Sequence, residues 1–174
     1  MSHPERRHGD IIIPWVEFHS SQVCSALSLT YRKLDRWIDL GLVDVDSFRQ
    51  KTRIPFQGTG SVRVYHYPDI LQLALTRELH RYQNKMDDIK QQLSCPPENS
   101  SSWGELIAQC NPTSAGNIFY AAFAEAPGDP LDVITDEEEL LGAVASSLSG
   151  FYVNLAGLKN ETDEGIMRVL SAGC

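Results

Sequence analysis

Ser21-Gln-Val-Cys-Ser-Ala-Leu-Ser-Leu-Thr-Tyr-Arg-Lys-Leu-Asp-Arg-Trp-Ile-Asp-Leu-Gly-Leu-Val43 is the stretch on which the reading of this chain turns. Val23, Ala26 and Leu27 recur at helical spacing and give a first helix a small apolar face. The hydroxyl of Ser21 is placed to cap its free amides. Ser28 and Leu29 make a turn, and Thr30 is a second capping residue. A second helix then runs to about Leu40 and stops at Gly41, a residue suited to the left-handed conformation past a helix end. At about 100° per residue, Tyr31, Leu34, Trp37 and Ile38 fall on one side of this second helix. Arg32, Lys33 and Arg36 fall together on the other.

Three cations on one helix are ordinarily a solvated face. The next part of the chain changes that reading. Residues 44–62 lead through Gly58-Thr-Gly, which supplies turn residues, into a returning strand from Val62 to Tyr67. Arg49, Lys51, Arg53 and Arg63 lie along this ribbon. Two capped helices and a basic ribbon predict a winged helix-turn-helix. Thr30, Tyr31, Arg32, Lys33 and Arg36 would face the major groove, and the ribbon's cations would hold phosphate or a minor groove. The Gly-x-Gly is read as a hairpin turn, because the Gly-Lys-Ser/Thr ending of a phosphate loop is missing.

These residues carry a family resemblance. Leu34, Trp37, Gly41, Leu42, Arg63, Tyr65 and Asp69 stand where the MerR superfamily of transcription regulators has its DNA-binding pattern. Thr30-Tyr-Arg-Lys-Leu-Asp-Arg-Trp37 and Gly58-Thr-Gly-Ser-Val-Arg-Val-Tyr65 are similar to its actinobacterial FtsR-like branch. The resemblance covers residues 20–93 and implies a bacterial DNA-binding domain of four helices with a β-hairpin wing. The segment from Val43 to Gly58 is longer than the family's pattern, which leaves the placement of Arg49, Lys51 and Arg53 open. Metal-sensing members continue into a long dimerising helix. Here Ser94-Cys-Pro-Pro-Glu-Asn-Ser-Ser-Ser102 breaks any helix, so dimerisation must use another surface.

The rest of the chain is organised around that domain. Residues 1–14 read as a loose arm, and Trp15, Val16 and Phe18 as an apolar lid on the helices of a domain spanning 15–93. Pro68 and Asp69 open a third helix from Ile70 to about Arg81; Asn84 caps a fourth that carries Met86, Ile89 and Leu93. After a linker at 94–102, residues 103–174 predict a small α/β domain. Its elements are a helix from Trp103 capped by Ser102, strands at Asn117–Phe123, Leu131–Ile134 and Phe151–Leu155, and a helix from Thr135 or Asp136 to Leu148. A short polar helix over Gly157–Gly165 completes it.

Charge divides the same way. Residues 1–93 hold 13 Lys and Arg against 11 Asp and Glu, whereas residues 94–174 hold 2 against 12. The formal net charge of -8 therefore belongs to the second half, and a net of +2 in the first half makes DNA affinity depend on where the cations sit. All five histidines precede residue 94, which excludes Ser-His or Cys-His nucleophiles from the second half. Asp136-Glu-Glu-Glu139 reads as a helix start suited to the helix dipole rather than as a metal or acid–base cluster. Phe119, Tyr120, Phe123, Phe151 and Tyr152 fill a core or line a pocket for a small-molecule effector. Cys24, Cys95, Cys110 and Cys174 lack metal-ligand spacing and read as reduced thiols. No cofactor, metal or enzymatic activity is expected. Nothing resembles a signal peptide or a membrane span, so a cytoplasmic protein is expected. The expected function is a homodimeric regulator that binds palindromic sites on double-stranded DNA. Two alternatives stand beside it: an adaptor whose acidic half recruits RNA polymerase or another regulator, and an excisionase-like architectural protein.

Overall fold

The computed structural model describes residues 16–43, 63–83, 85–97, 100–110, 121–147 and 149–172. Among them it is mostly helical, with two small antiparallel sheets. Strand β1 (Phe18–His19) runs directly into α1 (Ser20–Leu27), and α2 (Tyr31–Asp39) follows. Helix α1 begins one residue earlier than the sequence suggests. Its cap is His19, whose backbone N–H donates to the Gln22 Oε1 at 2.9 Å, and not Ser21. Ser28 closes the helix in the left-handed region at φ 53°, and Gly41 does so after α2 at φ 68°.

Strand β2 (Val64–Tyr65) pairs antiparallel with β1, Phe18 opposite Tyr65 and His19 opposite Val64. The returning strand is thus shorter than expected. Val64 and Tyr65 are both buried rather than alternating, and Tyr67 already belongs to α3 (Tyr67–Tyr82). The physical reason is a cap: the His66 amide donates to the Asp69 carboxylate at 2.8 Å, so the helix starts before Pro68 instead of at it. Phe18 lies in the core, whereas Val16 is exposed, so the apolar lid is confined to Phe18 among the described residues. Trp15, the arm, and the ribbon from 44 to 62 lie outside the described residues. Helix α4 (Met86–Leu93) is capped at Lys85, which offers no side-chain bond; Asn84, the expected cap, is outside the described residues.

Helix α5 (Trp103–Gln109) starts where expected, with the Ser102 hydroxyl accepting the Glu105 amide at 3.2 Å. Strands β3 (Ala121–Ala124), β4 (Asp132–Ile134) and β5 (Phe151–Asn154) form a sheet in the order β4-β3-β5. Helix α6 (Glu137–Ser146) follows Asp136, whose carboxylate accepts the amides of Glu138 and Glu139. The expected short polar helix is instead α7 (Leu155–Ala172), of 18 residues. Leu155, Leu158, Thr162, Gly165 and Ile166 form its buried stripe. Gly165 disguises the stripe, yet the crossing with α1 requires it: a Cβ there would lie 2.3 Å from the Ala26 carbonyl oxygen.

One core runs through both halves. Phe18, Leu34 and Trp37 share a cluster with Leu71 and Leu75 of α3, Trp103 and Ile107 of α5, Val153 of β5 and Leu158 of α7. Polar bonds reinforce it. Arg77 of α3 donates to the Leu27 carbonyl at the end of α1 (3.1 Å) and to Glu161 of α7 (2.9 Å), tying three helices through one guanidinium. Tyr67 donates to Asp163, which also pairs with Lys159 at 2.9 Å. No helix among the described residues is long and apolar enough to cross a membrane.

Candidate nucleic-acid interface

Helix α2 is presented by its neighbours on both sides. Thr30 accepts the Lys33 amide through Oγ1 at 3.3 Å, which occupies one of the free donors of the first turn. Leu34, Trp37 and Ile38 are buried against the core. Tyr31, expected on that apolar side, is 54% exposed, so the stripe is one turn shorter than its periodicity suggests. Arg32, Asp35, Arg36 and Asp39 are all exposed, at the i, i+3, i+4, i+7 spacing of a single helical face. Lys33 is half-buried, its Nζ 4.9 Å from the centroid of the Trp37 ring. That cation–π contact draws its charge toward the flank of the helix.

Arg63 joins this face from a distant part of the sequence. Strand β2 is held on β1 by pairing and by the Ser20 hydroxyl, which donates to Tyr65 Oη at 3.3 Å. Burial pushes the Tyr65 phenol above its ordinary range, so it stays protonated at this junction. The residue just before β2 is therefore set beside α2. Arg63 Nη1 donates to Asp35 Oδ1 at 2.7 Å, with both side chains open to solvent. Such an exposed pair contributes at most about 1 kcal/mol. Its consequence is positional: a guanidinium 28 residues away in sequence is fixed at the edge of the Arg32/Arg36 face.

The structure thus brings together Arg32, Arg36 and Arg63, with Lys33 at the flank and Thr30 and Tyr31 at the helix start. Arg49, Lys51 and Arg53 lie outside the described residues. Asp35 does not stand out in the sequence. A carboxylate one position before Arg36 is visible there, but its partner is set by the β1–β2 pairing, which no local pattern reveals. Asp35 also acts inward: burial, and after it the Asp35 charge, raises the pKa of the Cys24 thiol in α1.

Chemically, this face offers planar guanidinium donors suited to phosphate oxygens or to the acceptor edge of guanine. Elsewhere, Phe151 and Tyr152 line a cleft beside β5, whereas Phe123 is buried under α6; Phe119 and Tyr120 lie outside the described residues. Among the described residues no group of three His, Cys, Asp or Glu side chains is arranged to hold a metal ion. Comparison with known protein families finds no match to this chain, and comparison with curated proteins finds none.

Proposed function

We propose that the chain is a sequence-specific regulator of transcription that binds double-stranded DNA through residues 20–93, folded as a winged helix-turn-helix of the MerR kind. The observation that carries this reading is the placement of Arg63 beside the exposed Arg32/Arg36 face of α2, through its 2.7 Å pair with Asp35. A capped helix with a buried stripe and a guanidinium face is the shape a major groove admits. The Arg63 guanidinium at its edge suits the neighbouring backbone. In this reading Thr30, Tyr31, Arg32 and Arg36 meet base edges and phosphates, Lys33 assists from the flank, and Arg63 takes phosphate. Arg49, Lys51 and Arg53 are further candidates for phosphate contact. Two copies bind an inverted repeat with half-sites about one helical turn, or a multiple, apart. Selection of bound duplexes from a random-sequence pool tests this. An enriched inverted repeat is the expected result, and a pool that stays random contradicts it.

A second role, recruiting RNA polymerase or another regulator, is favoured by the acidity of residues 94–174 and by the exposed Leu141 and Val144 of α6. An architectural role on DNA predicts strong bending, which circular-permutation shift assays read directly.

A further inference from the structure

Strand β5 ends its sheet, and among the described residues its outer edge carries no partner strand. Beside that edge lies a cleft of about 540 Å³. Its walls come from opposite faces of the sheet: Val144 of α6 on one side, Tyr82 of α3 and Leu158 of α7 on the other. The strand itself forms the floor. Phe151 and Val153 turn into the core, while Tyr152 and Asn154 turn outward. Space that straddles the unpaired edge of a sheet is the space an added strand fills, with main-chain hydrogen bonds to the edge and side chains alternating between the two walls.

The edge also lacks the usual protections. Phe151-Tyr-Val-Asn154 contains no charge and no proline, whereas β4 at the far edge carries Asp132 and leads into Glu137, Glu138 and Glu139. Tyr82, Val144 and Tyr152 leave apolar surface exposed around the cleft.

We infer that this cleft binds an extended segment of a partner protein, added as a fourth strand on β5, in which apolar and basic residues alternate. The apolar residues face Val144 and Tyr152 on one wall, and the basic residues face Tyr82 and Glu161 on the other. The basic residues are called for by charge. Among the described residues the cleft is lined by two carboxylates: Glu78 is buried and held by Arg77 and Arg81, whereas the Glu161 side chain stays 56% exposed while Arg77 holds it from behind. Glu161 belongs to the half-chain that holds 12 acidic and 2 basic residues. A second copy would bring the same excess of negative charge to the contact, which opposes self-pairing here. Glu78 and Tyr82 of α3 complete a cleft otherwise formed by the acidic half, and Arg32, Arg36 and Arg63 are not among its lining residues, so the inference stands apart from the DNA-binding reading.

The test uses the full chain and a fluorescent octapeptide of alternating valine and lysine, followed by anisotropy. Three comparison peptides isolate the cause: glutamate in place of lysine, the same composition in two blocks, and alternate amides N-methylated. The alternating peptide is expected to bind saturably, and about tenfold or more tightly than each comparison peptide. Val144→Lys and Tyr152→Lys, both at exposed positions, should each weaken it about tenfold at an unchanged thermal midpoint. Equal binding of the block or N-methylated peptides would reduce the effect to charge attraction and overturn the inference. So would the absence of saturable binding, or wild-type affinity in both folded variants. A dimer in sedimentation that Val144→Lys dissociates, with no peptide bound, would assign the cleft to a second copy and overturn it equally.

Discussion

Arg63 and Asp35 meet at 2.7 Å although 28 residues separate them, and this pair sets the edge of the cationic face of α2. Asp35 does two things at once. It orients a guanidinium, and it lowers the net positive charge next to Arg32 and Arg36. Under the proposed DNA-binding function both effects would bear on discrimination between sequences, because unscreened cations bind any phosphate backbone.

Replacing Asp35 separates these effects. In Asp35→Asn the face gains a net positive charge and Arg63 loses its ionic partner. Stability should change by no more than about 1 kcal/mol, since both groups are solvent-exposed. Affinity for random duplex should rise several-fold while discrimination in favour of a selected duplex falls. Anisotropy titrations against both duplexes, at matched salt, check this.

Arg63→Ala and Arg32→Ala should differ in kind. With Arg63 in its proposed role on phosphate, its removal should weaken binding to every sequence and make the salt slope shallower by about one unit. Loss at Arg32 should cost about 1–3 kcal/mol at particular base positions and little on random DNA. Uniform loss at Arg32 would make it a phosphate contact instead.

Two glycines give opposite outcomes on substitution. At Gly165 a Cβ meets the Ala26 carbonyl oxygen at 2.3 Å, so Gly165→Ala must push α7 away from α1. A loss of about 1–3 kcal/mol, or more, is expected from overpacking. At Gly142, inside α6, a Cβ meets nothing within 4 Å, and Gly142→Ala should stabilise by about 0.5–1 kcal/mol. Urea unfolding of the two variants beside the parent reads both.

Alkaline pH should destabilise the fold through Cys110. Burial lifts this thiol from its ordinary 9.0 to about 11, with Lys159 pulling weakly the other way. Between those values the unfolded chain has released the proton and the native chain has not, so stability falls as pH rises from about 9 to about 11. Tyr67 adds to the fall above its ordinary range, because burial and its bond to Asp163 both raise it. Unfolding midpoints at about pH 8 and about pH 10 check the sign. Cys110→Ala should soften the drop.

Much of this architecture is legible in local sequence. Thr30 as a cap, the Leu34/Trp37/Ile38 stripe, the left-handed Gly41, and the Ser102 and Asp136 caps all arise from side-chain chemistry within a few residues. The illegible part depends on contacts made across the chain. Helix α7 reads as short and polar because Gly157 and Gly165 interrupt its apolar rhythm, yet Gly165 is where α1 must come close. The pairing of strand β2 with β1 is hidden, because the two residues of each are too few to give an alternating pattern. The continuity of the core across residues 94–102 is equally hidden. Pro96 and Pro97 interrupt the helix without preventing Trp103 from packing back, where its indole donates to the Gln92 carbonyl at 3.2 Å. Asp35 belongs to the same class: visible as a residue, invisible as a partner.

DNA binding is proposed to rest on the Arg32/Arg36 face of α2. The Arg32→Ala/Arg36→Ala double variant, titrated by anisotropy with a duplex selected by the parent protein, tests it most directly. Both residues are exposed, so the variant should keep its unfolding midpoint and lose at least about 2 kcal/mol of binding. An unchanged affinity in the folded double variant would exclude that face as the DNA-binding surface.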